Sequence, residues 1–214
     1  MAPPIALPAR RLDAADLSWA TLLLTDACAD HPVLRYCCSE PDAPAQRTWL
    51  MEQLLRFGMR FGRVYTNATS TALAIWVRPG QSVANGWQLL QSGFLPAALW
   101  RLPGKSWLRL RQHLGAAARL RRASGAAACH HHLLALAVSP LHRGQGQGRR
   151  LLQATLAAMQ ATHAPCYLDT QVPEQLPFYQ RIGFRLTGQC PASAGTDTPL
   201  MWGLVREASQ QSMR

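Results

Sequence analysis

The sequence predicts an α/β (α+β) fold built as one domain over residues 1–214. Three observations lead there. Stretches with helical apolar spacing alternate with short runs rich in β-branched and aromatic residues. The run 132–138 is almost continuously apolar, as a strand covered on both faces must be. A glycine-rich loop and an amphipathic helix follow that run directly. The chain has 214 residues, of which 48% are hydrophobic and 15% charged. That length supports a sizeable core, and that composition argues against disorder.

Residues 1–12 read as an extended lead-in. Asp13 or Asp16 can cap a helix carrying Leu17, Trp19, Leu22, Leu23 and Leu24. The segment 31–42 is broken by prolines and reads as a loop with a short helical turn. Trp49, Leu50, Leu54, Leu55, Phe57 and Met59 set a second helix over 44–61, ended by Gly62. Strands follow over 63–66 and 73–77 around a turn at 67–70, and Pro79-Gly80 stops the second. Leu, Trp and Arg are interleaved over 85–124, which Pro96, Pro103 and Gly104 divide into two or three helices. Ser139-Pro140 ends the 132–138 strand. A helix over about 146–162 then shows Leu151, Leu152, Leu156 and Met159 as its apolar stripe. A strand over 166–169, a short helix over 174–182 closed by Gly183, and a strand pair over 184–190 and 200–206 complete the chain.

Lys plus Arg number 22 and Asp plus Glu 11, a net charge of +11. No carboxylate occurs from 53 to 168, and Lys105 is the only lysine. Such a stretch attracts anions: phosphates, nucleic acid, an acidic membrane surface or an acidic protein. No basic residue precedes an apolar run at the N-terminus, and three prolines interrupt it, which argues against a secretory signal. No apolar run reaches the roughly 18 residues of a spanning helix. The six cysteines form no C-x-x-C pair, which disfavours structural zinc. Reduced thiols and a cytoplasmic location are the expectation.

Strand, glycine loop, then helix is a physical recipe for holding a phosphate. Glycines let the backbone approach the anion, and the free N–H groups of the first helical turn point at it. Gly144 to Arg149 has neither the Lys nor the Ser/Thr of a P-loop. Gly144-Gln-Gly-Gln-Gly148 also departs from the dinucleotide spacing G-x-G-x-x-G. The remaining reading is Arg143-x-x-Gly146-x-Gly148, and here the sequence resembles the GNAT acetyltransferase superfamily, whose signature is [QR]-x-x-G-x-[GA] between a strand and a helix. Cys166-Tyr-Leu-Asp-Thr170 resembles the family's strand beside the acetyl arm, and Pro177-Phe-Tyr-Gln-Arg-Ile-Gly-Phe184 its [FY]-Y-x-x-x-G-F element. Trp76-Val-Arg-Pro-Gly80 and the long segment before the central strand are similar to one branch of the family.

The resemblance implies a GNAT-like mixed, mostly antiparallel central sheet flanked by helices, with a basic helical insertion (85–125) before the central strand. Helices over 13–62 would form the acceptor side and 130–206 the acetyl-CoA-binding core. The backbone of Leu136, Ala137 and Val138 would meet the pantetheine arm. The N–H groups of Arg143, Gly144, Gln145, Gly146, Gln147 and Gly148, with the Arg149 side chain, would hold the pyrophosphate. Arg150 reads as a solvated helix charge. Gln175 falls where branch relatives carry a cofactor-contacting Asn. Tyr179 falls where the family has a phenol that can protonate the departing thiolate.

A general base for the amine is harder to place. Asp169 stands where branch relatives have Glu. His132 is expected to line the acceptor site, sharing one strand face with His130 while His131 points to the other. Adjacent histidines on a strand cannot converge on one ion, so no metal is expected. Glu52 and Glu174 read as solvated helix charges, and Tyr36, Trp76 and Trp87 are candidates for the acceptor-pocket wall. The implied activity is N-acetyl transfer from acetyl-CoA, as co-substrate, to the primary amine of a small molecule by direct attack. No membrane partner is expected, a homodimer is compatible, and nucleic acid is disfavoured without aromatic ribbons or a helix-turn-helix. A non-catalytic acyl-CoA sensor, or a module docking nucleic acid through 101–122, is the alternative class. A carboxylate base must come from the N-terminal helices, Asp169 or beyond; otherwise the base is a histidine or water.

Overall fold

The computed structural model describes residues 9–38, 43–81, 86–91, 94–125, 129–160, 162–192 and 198–208. The expected lead-in is in part a strand. β1 (Arg10–Arg11) pairs antiparallel with β2 (Gly62–Thr66), while residues 1–8 lie outside the described residues. Asp13 and Asp16 then form a reciprocal capping box over the turn Ala14–Asp16, which leads into α1 (Leu17–Ala27). Arg10 clamps Asp16 with contacts of 2.6 and 2.9 Å, tying the edge strand to the helix start.

The short helical turn near 31–42 is α2 (Pro32–Cys37), with proline at its first position, where no N–H is needed. α3 (Ala43–Phe61) runs into β2, and β3 (Ala72–Val77) returns beside it. The insertion comprises α4 (Gly86–Gln91), α5 (Phe94–Arg101) and α6 (Gly104–Ala123). Pro96 does not divide helices as expected: it lies in the first turn of α5, where a missing N–H breaks no intrahelical bond. β4 (His131–Val138), α7 (Gln147–Gln160), β5 (Cys166–Thr170), α8 (Leu176–Gln180), β6 (Arg185–Pro191) and β7 (Leu200–Arg206) follow.

The strands form one seven-stranded sheet in the order β1-β2-β3-β4-β5-β7-β6. Among the described residues only the β4–β5 pair is parallel. Strand alternation divides the core in two. Leu73, Ile75 and Val77 of β3 pack on the face covered by α1, α3 and the insertion. Ala72, Ala74 and Trp76 pack on the opposite face against Leu151, Leu152, Leu156 and Met159 of α7. A smaller cluster joins Ala116 and Leu120 of α6 to Met201 of β7. No helix among the described residues is long and apolar enough to cross a membrane.

Trp76 belongs to this core. It is 1% exposed, and its indole N–H donates to Thr155 of α7 at 3.1 Å. An aromatic in a strand covered on both faces must choose one, and β3 turns this one toward α7. Trp76→Ala should therefore cost about 3–5 kcal/mol of stability in urea unfolding, through the cavity and the lost packing.

Candidate functional site

The sheet opens at its centre. β4 and β5 are paired only at His131–Cys166, His132–Tyr167 and Leu133–Leu168. On its other side β4 pairs with β3, and there the register jumps: Trp76 opposes Leu133 while Ile75 opposes Ala135. Leu134 is thus the extra residue of a bulge, which bends and twists the strand that carries it. Beyond the bulge β4 and β5 part. From Leu134 to Val138, β4 has no strand beside it on the β5 side.

The glycine loop lies where this free edge ends. Gly144 and Gly146 have φ of 76° and 74°, left-handed values that cost an L side chain strain. Gly148 answers a different need: a Cβ there would stand 3.1 Å from Val138 and 3.8 Å from Leu136. α7 can therefore start directly against β4. The N–H groups from Gly144 to Arg149 reach no protein acceptor among the described residues. Side chains brace the loop. Gln147 accepts from Asn67 at 3.1 Å, Gln145 donates to the Leu141 carbonyl, and Arg143 donates to the Ala27 carbonyl at 2.8 Å. Arg149 is exposed. Arg150 is exposed, as expected of a helix-face charge, and it also donates to the Gln145 carbonyl at 2.8 Å, which helps fix the loop. Free N–H groups at the start of a 14-residue helix, ringed by arginines, suit an anion.

On the other side of the free edge lies a cavity of about 280 Å³. α1, α2 and α3 wall it from one side, the insertion from another, and β4 and the end of β5 form its floor. Leu136 lines it, whereas the Ala137 side chain is buried in the adjoining core. Most of the lining surface is apolar. Asp169, His132 and Tyr179, expected to share a site, all face this cavity. Gln175 lines it as well and accepts from the Thr170 hydroxyl at 2.9 Å.

The His132 ring stands between two charges. Its Nε2 lies 3.4 Å from Asp169 Oδ1, and its Nδ1 lies 3.4 Å from the Arg121 guanidinium. A guanidinium can only donate, so Nδ1 presents its lone pair and Nε2 carries the hydrogen toward Asp169. Burial alone would push the Asp169 carboxyl up. Hydrogen bonds from His132 and Gln171, with the nearby His113 imidazole, overcome burial and hold it below its ordinary range. Burial pushes the Tyr179 hydroxyl well up, and nearby Asp169 adds to the effect, so the phenol keeps its proton through neutral pH.

Sequence reasoning missed three polar groups here: His31 ahead of α2, and His113 and Arg121 on α6. Each lies far along the chain from Asp169, and only the fold brings them together. Tyr36 and Trp76 do not line the cavity as expected. Arg109 stacks over the Tyr36 ring at 5.0 Å, and Trp76 faces α7. The side chain of Trp87 lies outside the described residues. His130 and His132 share a strand face, and His131 turns away to meet the Thr162 hydroxyl at 2.7 Å. Glu52 pairs with Arg56 one turn along α3, and Glu174 is exposed.

The family profile described as "Acetyltransferase (GNAT) domain" matches residues 107–186. An uncharacterized N-acetyltransferase of Schizosaccharomyces pombe is 24% identical over 192 residues, covering 83% of this chain and 74% of the yeast protein. A Corynebacterium glutamicum structure described as histone acetyltransferase HPA2 and related acetyltransferase superposes with TM-score 0.66 at 20% identity, covering 96% of this chain and 98% of its own. The Drosophila melanogaster polyamine N-acetyltransferase, which forms N-acetylagmatine, superposes with TM-score 0.64 at 17% identity, covering 93% of this chain and 98% of its own.

The buried imidazoles set a pH dependence. Burial pushes His31 down from 6.5 to about 4, with His113 adding to the effect and Asp169 opposing it. Between those values the unfolded chain binds the proton and the folded chain does not, so acid favours unfolding. Stability should fall as pH drops from about 6.5 toward 4. His31→Asn should flatten that limb when unfolding free energies are measured at successive pH values.

Proposed function

Because the chain belongs to the GNAT acetyltransferase superfamily, we propose that it transfers the acetyl group of acetyl-CoA to the primary amine of a small molecule by direct attack. The observation that carries this reading is the parted β4 edge, which runs between the glycine loop at one end and the cavity at the other. A pantetheine arm laid along Leu136, Ala137 and Val138 would complete the ladder that β5 leaves open. The pyrophosphate would rest on the N–H groups of 144–148, with Arg149 beside it; the Arg143 N–H, expected to join them, donates instead to the Pro140 carbonyl. The acetyl group would then point at the cavity where Tyr179 stands.

The cavity supports a small acceptor with an apolar body. Asp169 is the only carboxylate lining it among the described residues. One carboxylate in a mostly apolar cavity suits one ammonium group. A polyamine's second charge would be left without a counter-charge at high desolvation cost. The N-terminal helices and the insertion thus make the acceptor side, and 130–206 the cofactor side. Tyr179 would give its proton to the departing sulfur.

Two measurements test this reading. Purified protein should bind acetyl-CoA by calorimetry, and Gly148→Val should weaken that binding at least about tenfold, because the new side chain meets Val138 where the arm would lie. A panel of primary amines should release CoA, with apolar monoamines outrunning diamines, and Tyr179→Phe should lower kcat about 100-fold without loss of CoA affinity. Absence of acetyl-CoA binding by the folded protein would sink the reading.

A further inference from the structure

The reaction proposed above needs a base, because an aliphatic amine is an ammonium ion at neutral pH. The described residues bring seven titratable or charged groups to the cavity, six of them Cys28 just after α1, His31 ahead of α2, Arg121 from α6, His132 from β4, Asp169 from β5 and Tyr179 from α8. α3, α4 and α5 add none to its lining among the described residues. His113, also on α6, is the seventh, and it differs from the rest.

The others are already engaged or unsuited. The lone pair of His132 faces Arg121, and its N–H faces Asp169. Asp169 takes hydrogen bonds from His132 and Gln171, which spend its basicity. Tyr179 holds its proton, and burial pushes the Cys28 thiol up to about 11. Burial lowers His31 as it does His113, but His31 is lowered further by its neighbour His113, to about 4, whereas on His113 Asp169 only opposes burial. The His113 ring has no hydrogen bond to any described residue, and its Nδ1 is shut off from solvent. With Nδ1 buried and the ring lining the cavity, Nε2 is the nitrogen left for a bound amine to meet. Burial also disfavours its charged form, so the ring waits neutral, while Asp169 opposes that effect and would steady an imidazolium once formed.

We propose that His113 is the general base that takes a proton from the acceptor ammonium, so that the helical insertion supplies a catalytic group. This rests on the acetyl-transfer reading above. The ammonium gives one proton to Nε2 of His113, and the freed lone pair attacks the acetyl carbonyl carbon. A C–N bond forms and the C–S bond breaks. The sulfur takes a proton from the Tyr179 hydroxyl, and the second amine proton returns to the Tyr179 oxygen. His113 then passes its proton to water. The sum is ammonium plus acetyl-CoA giving amide, CoA thiol and one proton.

The test compares wild-type protein with His113→Gln and, should that variant fold poorly, His113→Asn. CoA release is followed from pH 6 to about 10, the range of a free alkyl ammonium, with an alkyl primary amine and an aryl amine that is neutral at pH 7. For the alkyl amine, kcat/KM at pH 7 should fall about 100-fold or more. The deficit should shrink as pH rises and be slight for the aryl amine, while CoA affinity by calorimetry is unchanged. Equal rates for variant and wild type with the alkyl amine would overturn the proposal. So would a loss of the same size at every pH and with both amines, which marks a structural role. A wild-type protein that turns over no amine would overturn the acetyl-transfer reading itself, and this assignment with it.

Discussion

The parting of β4 from β5 is the constraint on which the rest of the molecule depends. Two parallel strands held together for three residue pairs and then separated leave a wedge in the middle of the sheet. Such a gap is costly, because backbone N–H and C=O groups of a central strand are left without a ladder partner. The bulge at Leu134 opens the gap, and the packing on both faces holds it open. Above it, α1 and α3 and the insertion close a cavity; below it, α7 starts flush with Val138 because Gly148 has no side chain. The free edge, the anion-holding loop and the cavity are therefore one feature seen from three directions. Closing the sheet would remove all three together.

Electrostatics then sort what enters the wedge. The loop end is ringed by Arg143, Arg149 and Arg150 and by N–H groups without protein acceptors among the described residues. Among the described residues the cavity end carries a single carboxylate, kept ionised by the donors around it. A polyanionic cofactor and a cationic amine are thus drawn to opposite ends of the same edge. The Arg121–His132–Asp169 chain fixes more than charge. Each donor orients the next acceptor, so the imidazole tautomer and the carboxylate position are set before any ligand arrives.

Much of this was legible in the chain. Period-2 and period-3.6 patterns located the strands and long helices to within a few residues, because burial on one or both faces dictates them. The glycines of the loop were legible because left-handed φ at Gly144 and Gly146 and close approach at Gly148 leave little choice of residue. The bulge was not, since Leu134 is an ordinary strand residue and a bulge is a property of two strands in register. The edge strand at Arg10–Arg11 was hidden for the same reason: two residues carry no period. Trp76 and Tyr36 were misplaced because a large aromatic signals burial without saying against what. His31 and His113 carried no local signal at all, one a lone histidine ahead of α2 and the other a lone histidine on α6.

The insertion shows why composition alone misled. Its acid-free, arginine-rich stretch looks like one feature in the sequence but is two in the fold. Leu110, His113, Leu114, Ala117 and Arg121 fall at helical spacing on one face of α6 and line the cavity. Arg111, Gln112, Arg119 and Arg122 face outward and are exposed. The outward charges are solvated and contribute to the field around the molecule. The inward face needs the absence of acids for another reason. A carboxylate on α6 near His113 or Arg121 would compete with Asp169 for both, raise the imidazole's affinity for protons and hold it charged. An acid-free helix leaves Asp169 as the only carboxylate among the cavity-lining residues described, and adds nothing to offset the burial that favours neutral His31 and His113. In this chain the missing carboxylates carry more information than the abundant arginines.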